Sequence, residues 1–193
     1  GMNEYLDSVI DRDPAARSRL NVLINYPGVK AVAFYKISHF LWKLNLYLFA
    51  RMVSQFARFI TGVEIHPGAT IGKNLFLDHA NSIVIGESSI IGDNCTIYHG
   101  VTLGGLSPSE NSQDQVGSKR HPTIEDNVII GCQATILGPI TIGHCSRVGA
   151  SVVVLKDVPP YTTVVSANTT KLINKDKDTS FKPYAVKDVD DVK

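Results

Sequence analysis

From Ile65 to Val154 an aliphatic residue returns at every sixth position, and this regularity constrains the fold more than any other feature of the chain. The units begin at Ile65, Ile71 and Leu77, slip by two residues, and continue at Ile85, Ile91, Ile97 and Leu103. After a longer interruption the frame resumes at Ile124, Ile130, Ile136, Ile142, Val148 and Val154. An amphipathic helix needs apolar residues three and four apart, and a half-buried strand alternates by two. A period of six instead fits a solenoid of very short parallel strands, in which each aliphatic side chain points inward and stacks on its equivalents in neighbouring coils. Ala69, Cys95, Val101, Val128, Ala134, Ile140 and Val152, four places on, are expected to fill the same interior. Glycine often follows the aliphatic residue, at 72, 86, 92, 104, 131, 143 and 149, where a corner would leave no room for a side chain or would need a positive φ.

The N-terminal third reads differently. Residues 1–61 form an α-helical segment by pattern, with Asp13 as N-cap before Pro14 at the first helical position and a break at Tyr26-Pro27-Gly28. A mostly buried helix is expected from Val29 to about Trp42, on Ala31, Val32, Phe34, Tyr35, Ile37, Ser38 and Leu41, and another from Leu44 to Ile60. The solenoid is expected over 62–173, with a loop at 106–119, and a charged tail over 174–193. Lys+Arg 19 against Asp+Glu 18 argues against nucleic acid or an anionic membrane as partner. No stretch approaches the roughly 20 apolar residues of a membrane span, and nothing after Met2 resembles a signal peptide. Cys95, Cys132 and Cys145 are not spaced as metal pairs, which fits reduced thiols in a cytoplasmic protein.

Several motifs together are more specific than the repeat. These are Asp13-Pro14-Ala15-Ala16-Arg17-Ser18, Tyr26-Pro27-Gly28-Val29-Lys30-Ala31, Tyr35-Lys36-Ile37-Ser38-His39-Phe40-Leu41-Trp42, Glu64-Ile65-His66-Pro67-Gly68-Ala69, Leu77-Asp78-His79-Ala80, Val101-Thr102-Leu103-Gly104-Gly105 and Arg120-His121-Pro122. From about residue 11 to 173 the chain resembles the serine O-acetyltransferases, members of the hexapeptide-repeat acyltransferase superfamily. The resemblance implies a mainly β fold, a left-handed parallel β-helix preceded by helices, and transfer of acetyl from acetyl-CoA to the L-serine hydroxyl for cysteine biosynthesis.

Such a transfer needs a base for the hydroxyl proton and donors for the oxyanion, and histidine suits the first role because its pKa lies near neutrality. The resemblance assigns that base to His79, which takes the proton as the serine oxygen attacks acetyl-CoA directly, without an acyl-enzyme. It places Glu64, where the family has Asp, as the carboxylate that steadies the imidazolium. It gives Asp13 and Asp78 to the serine ammonium and Arg120 and His121 to its carboxylate. Acetyl-CoA is implied to lie along the groove between solenoids of a homotrimer, against Gly105, Cys132 (Ala in the family), Arg147 and Ala150, while Lys171, just beyond the last coil, is expected to be solvated rather than to meet its phosphates. No metal is implied. Cysteine, which mimics serine, is the implied feedback inhibitor.

Loop 106–119 is expected to cover the site or reach a neighbouring subunit. The short helical segment favours a trimer over a hexamer, and a chain ending Asp190-Asp191-Val192-Lys193 rather than in Ile argues against docking to O-acetylserine sulfhydrylase. Two other readings remain open at this point. One is an acetyltransferase of the same fold for a sugar or other hydroxyl. The second is a carbonic anhydrase-like metalloenzyme, for which His66, His79, His99 and His121 are candidate ligands by count.

Overall fold

The structure is a computed structural model of the chain, describing residues 1–107 and 112–167. Four helices come first: α1 (Met2–Arg12), α2 (Arg19–Asn25), α3 (Pro27–Lys43) and α4 (Tyr47–Thr61). The solenoid follows as successive coils. The first holds β1 (Glu64–Ile65), β2 (Thr70–Ile71) and β3 (Phe76–Asp78), and the second β4 (Val84–Ile85), β5 (Ile90–Ile91) and β6 (Thr96–Tyr98). The third holds β7 (Thr102–Gly104), β8 (Thr123–Ile124) and β9 (Ile129–Ile130), and the fourth β10 (Thr135–Leu137), β11 (Thr141–Ile142) and β12 (Arg147–Val148). A last, shorter coil carries β13 (Val153–Val154) and β14 (Thr163–Val164).

Every third strand stacks in parallel register, giving three faces ordered β1-β4-β7-β10-β13, β2-β5-β8-β11 and β3-β6-β9-β12-β14. The registers put like on like: Ile65 on Ile85, Ile91 on Ile124, Ile97 on Ile130, Leu103 on Ile136. Of the thirteen repeat aliphatics from Ile65 to Val154 only Ile71 is not fully buried. Of the residues four places on, six are buried and Ile140 is partly so.

The corners differ from the sequence expectation. None of the seven repeat glycines has a positive φ. At most of them the need is space: a Cβ on Gly72, Gly92, Gly131 or Gly143 would overlap the coil above. The left-handed turn falls instead three residues after the aliphatic, at Asn74, Asn94, Asn127, Gln133, Cys145, Ser151 and Tyr161. Asn recurs there because its short polar side chain tolerates that region.

The first coil has no coil beneath it, and helices cover its open edge. Tyr5 donates to Leu75 O at 3.1 Å, Tyr35 to Ala69 O at 2.6 Å and Ser54 to Ile65 O at 2.8 Å. Each is a buried carbonyl that would otherwise lack a partner. Arg12 reaches furthest, donating to Asn74 O (2.8 Å), Cys95 O (3.1 Å) and Thr96 Oγ1 (3.2 Å) across two coils.

The helix boundaries correct the sequence reading in two places. Asp13 is not an N-cap but closes α1, and the following helix starts at Ser18, whose Oγ accepts from Asn21 N at 3.2 Å. The Pro14-Ala15 step is a turn held by Asp13 Oδ1 accepting from Ala15 N at 2.8 Å. Nor is α3 buried all round: Val29, Ala31, Val32, Tyr35 and Ser38 face the solenoid, while Ile37 and Phe40 face out with Phe49, Met52, Phe56 and Phe59 of α4. Residues 108–111 and 168–193, including Lys171 and the expected tail, lie outside the described residues. Among those described, no helix is long and apolar enough to cross a membrane.

The repeat column sets a stability expectation. Ile97, with 0% exposure, is enclosed by the coils on both sides, so Ile97→Ala should cost about 2–5 kcal/mol through lost burial and a residual cavity. The midpoint of denaturant unfolding reads this directly.

Candidate active site

The expected site residues gather at two edges of the prism, at opposite ends of the β4 face. The edge between the third and first faces holds His79. In the chain this is the two-residue slip, and the extra residues form a wide corner in which His79, Ala80 and Ser82 all take positive φ, at 57°, 64° and 61°. The corner pushes the His79 ring outward, to 76% side-chain exposure. Its Nε2 lies 3.9 Å from Asp78 Oδ1, and its ring meets His99 of the next coil edge-on, with centroids 5.8 Å apart. The His99 Nδ1 is buried and has no partner among the described residues.

Asp13 joins this edge through α1. The Arg12 clamp fixes the end of the helix on the third face, and Asp13 Oδ2 accepts a hydrogen bond from Tyr26. Burial raises the Asp78 carboxyl above its usual pKa, and the charge of Asp13 adds to this against the pull of His79. Asp13, Asp78 and His79 are therefore one electrostatic cluster. Glu64 is not drawn into it: its carboxylate pairs with Arg58 of α4 at 3.3 Å, and the carboxylate that meets His79 is Asp78. Higher on the same edge, Cys132 and Ala150 occupy stacked corners, linked by Ser151 N donating to Cys132 O at 2.9 Å. Arg147 extends from β12 on the adjoining face and is exposed.

The other edge, between the first and second faces, holds Arg120 and His121 at the foot of the long loop. Ser88 of the coil below organises them. Its Oγ accepts from Arg120 N (2.9 Å) and His121 N (3.0 Å), while its N–H donates to His121 Nδ1 at 3.1 Å. An Nδ1 that accepts a backbone N–H carries no proton, so the neutral ring keeps its proton on Nε2. The ring packs against Gly86, where any Cβ would overlap it. Burial, then the Arg120 and Lys119 cations, depress the His121 pKa and favour this neutral donor. Arg120 Nη2 is bound to Glu87 at 2.6 Å, and Gly105 sits against the Arg120 carbonyl at the loop's base.

Below them His66 completes the column. Its Nδ1 accepts from Gly68 N at 3.0 Å, and Trp42 covers the ring edge-on at 5.0 Å. Desolvation, then the Arg51 charge, lower its pKa from 6.5 to about 4. Among the described residues the four candidate zinc histidines thus split two and two between the edges, and no three metal-ligating side chains converge.

Ser88 and Tyr26 were not marked as site residues from sequence, and His99 was marked only as a candidate zinc ligand. Tyr26 stood inside a quoted motif, and His99 carried a signal as a polar ring at a coil corner. Ser88 carried none.

A parallel β-solenoid with a histidine–carboxylate cluster at a coil corner defines a hexapeptide-repeat acyltransferase. Two family models agree, Bacterial transferase hexapeptide (six repeats) over residues 121–156 and Hexapeptide repeat of succinyl-transferase over 82–105. The chain belongs, more narrowly, to the serine acetyltransferases. It is 49% identical to the serine acetyltransferase of Helicobacter pylori, over 89% of this chain and 96% of that protein. To the Mycobacterium tuberculosis enzyme it is 53% identical over 80% of this chain, but spans only 65% of that protein's length. Among solved structures it resembles the Neisseria gonorrhoeae serine acetyltransferase in complex with serine, at TM-score 0.79 and 38% identity over 88% of this chain and 67% of that one. It also resembles isoform 3 from Entamoeba histolytica in complex with cysteine, at TM-score 0.83 and 33% identity over 91% and 60%.

The His66 environment gives a pH expectation. The folded protein holds His66 neutral to about pH 4, whereas the unfolded chain takes up a proton below its ordinary 6.5. The unfolded state then binds more protons, so stability falls as pH drops from 6.5 towards 4. Replacing His66 with Asn, which keeps an acceptor for Gly68 N, should flatten that part of a stability–pH curve.

Proposed function

We propose that this chain acetylates the hydroxyl of L-serine from acetyl-CoA, with His79 removing the hydroxyl proton. The observation that carries the reading is the charge division of the site. Asp78, beside the base, and Asp13, which is coupled to it electrostatically, stand on one edge, and Arg120 with the Nε2–H of His121 stands on the other. Two carboxylates suit an ammonium, and a guanidinium with an imidazole donor suits a carboxylate. A neutral sugar would use neither, which favours the serine reading over another hydroxyl acceptor. The proton passes to His79 as the serine oxygen attacks the thioester carbonyl, and the resulting imidazolium can return it to the departing thiolate. Asp78, beside the ring, stabilises that cation. Glu64 is the second carboxylate we assign to it, once free of Arg58.

One chain keeps its two half-sites on different edges. We therefore place the complete site between protomers of a homotrimer, the His79 edge of one facing the Arg120 edge of the next. Gly105, Cys132, Arg147 and Ala150 would then flank acetyl-CoA in the same groove. The exposed Phe49, Met52, Phe56 and Phe59 support an assembly larger than one chain. Cysteine, bound in the Entamoeba relative's structure, is the inhibitor we assign to the serine pocket. Free Cys95, Cys132 and Cys145 accord with a cytoplasmic setting.

The test is release of CoA thiol with L-serine, beside homoserine and simple sugars. His79→Ala should lower kcat about 10²–10⁴-fold with L-serine, the usual contribution of a positioned base. Turnover only with another acceptor would reject the serine pocket. Glu64→Gln should lower kcat with little change in the serine KM, and an unaltered rate would leave the imidazolium to Asp78 alone.

Co-expressing His79→Ala with Arg120→Ala chains tests the shared site. Mixed assemblies should recover activity that neither variant has alone, because some sites receive both intact halves. No recovery would place the site within one chain.

A further inference from the structure

The Tyr26-Pro27-Gly28 step plays no part in the chemistry described so far, yet its position is tightly fixed. Tyr26 closes α2, its N–H donating to Val22 O at 3.2 Å, and the same residue is the N-cap of α3, which Pro27 opens. Gly28 is pressed against the third face so closely that a Cβ would overlap the Leu77 carbonyl oxygen and the Leu77 Cβ. Leu77 immediately precedes Asp78 and His79. The step is thus docked on the strand that ends in the site, and the docking requires glycine.

This docking aims the Tyr26 hydroxyl at Asp13. One carboxylate oxygen of Asp13 is held within its own turn by Ala15 N at 2.8 Å, and the other accepts from Tyr26. No other hydrogen-bond donor is recorded on either oxygen among the described residues. Burial, the hydrogen bond to Asp13, and the charges of Asp13 and Asp78 together push the Tyr26 pKa up to about 12, so the phenol remains a donor throughout the working range. The charges of Asp13 and Asp78 act on each other and repel while the pocket is empty, and the turn after α1 could relieve this by swinging Asp13 away. Arg12 and Tyr26 oppose that movement, the first by anchoring the backbone and the second by holding the carboxylate.

We infer that Tyr26 is a positioning residue for acceptor recognition, whose hydroxyl holds the Asp13 carboxylate opposite Asp78 so that the pair is formed before the acceptor's ammonium arrives. This rests on the reading of Asp13 and Asp78 as the ammonium site. Preformed donors and acceptors raise affinity by sparing the reorganisation that binding would otherwise require. Tyr26 therefore acts on binding of the amino acid and not on the acyl transfer.

The experiment is steady-state kinetics of the full chain with L-serine and acetyl-CoA, comparing the parent, Tyr26→Phe, Asp13→Asn and the double variant, with thermal melts of each. Phenylalanine keeps the ring and removes only the hydroxyl. Tyr26→Phe should raise the serine KM about tenfold, in line with loss of a hydrogen bond to a charged group. The kcat and the acetyl-CoA KM should stay within about twofold, because no group on the base is removed. In the Asp13→Asn background, Tyr26→Phe should add nothing further to the serine KM, since the group it positions is gone. A serine KM unmoved by Tyr26→Phe overturns the inference, as does a loss shared equally by kcat and both KM values, or independent effects in the double variant. If the parent turns over L-serine and Tyr26→Phe is indifferent, this inference falls alone. If the parent does not use L-serine, the acceptor assignment falls and carries this inference with it.

Discussion

No coil of this solenoid can bury its own aliphatic residues; each depends on the coil above and the coil below. That mutual burial is the constraint from which the rest follows. It explains why Ile, Leu and Val recur in three vertical columns and why most of the repeat glycines must lack a side chain. It also explains the helices. A stack has an open end, and the first coil would expose a row of unpaired carbonyls and the lower side of its columns. Tyr5, Tyr35, Ser54 and Arg12 close that end with donors, while Val9, Val29 and Val32 cover it with apolar surface. Asp13 reaches the site because it directly follows the clamping Arg12. On the proposed role of Asp13, recognition of the acceptor is tied to the capping of the fold.

A strict repeat leaves little room for chemistry, since each position is committed either to the column or to a corner. The chain departs from period six twice between Ile65 and Val154, at the slip before Ile85 and at the excursion after Leu103. The slip widens one corner, and its three left-handed residues present His79 to solvent. Backbone held in a sparsely populated region is costly and persists where the surroundings enforce it. Here they do so through Asn81 N to His79 O at 2.8 Å and Ser82 N to Gly62 O at 2.9 Å. The excursion returns at Arg120 and His121, which Ser88 then seats on the coil below. Each break in the repeat yields one half of the proposed site.

This is why so much was legible in the sequence. A periodic core announces itself, whereas the site residues were named from motifs shared with a family, and only the structure shows that His79 and Arg120 stand where the period breaks. What stayed hidden depended on contacts between distant segments. Asp13-Pro14 has the local signature of a helix start, but α1 already ends there and the Asp side chain serves a turn and Tyr26 instead. Ser88 looks like any polar corner residue until the loop brings Arg120 and His121 above it. Glu64 lies at the expected spacing from His79, yet Arg58, on a helix whose path no spacing rule predicts, holds its carboxylate. The repeat glycines were marked correctly as corner residues, but for two possible reasons, and only the stacked coils show that crowding rather than φ is the cause at Gly72, Gly92, Gly131 and Gly143.

The separation of charge between two edges has its own logic. Were Asp13 and Asp78 to face Arg120 within a single chain, the opposite charges would pair with each other and leave a zwitterion to compete with preformed ion pairs. Kept apart, the acidic edge stays acidic, and its repulsion raises the affinity of Asp78 for a proton or an incoming cation. The basic edge is partly quenched by Glu87, whose carboxylate holds Arg120 in place while the guanidinium keeps further donors for another anion. In the proposed trimer the halves meet only across a groove that the substrate itself fills. The amino acid then supplies the ammonium that relieves one edge and the carboxylate that satisfies the other. A neutral hydroxyl acceptor would relieve neither, so discrimination arises from the empty site's own unfavourable electrostatics as much as from the contacts a bound serine makes.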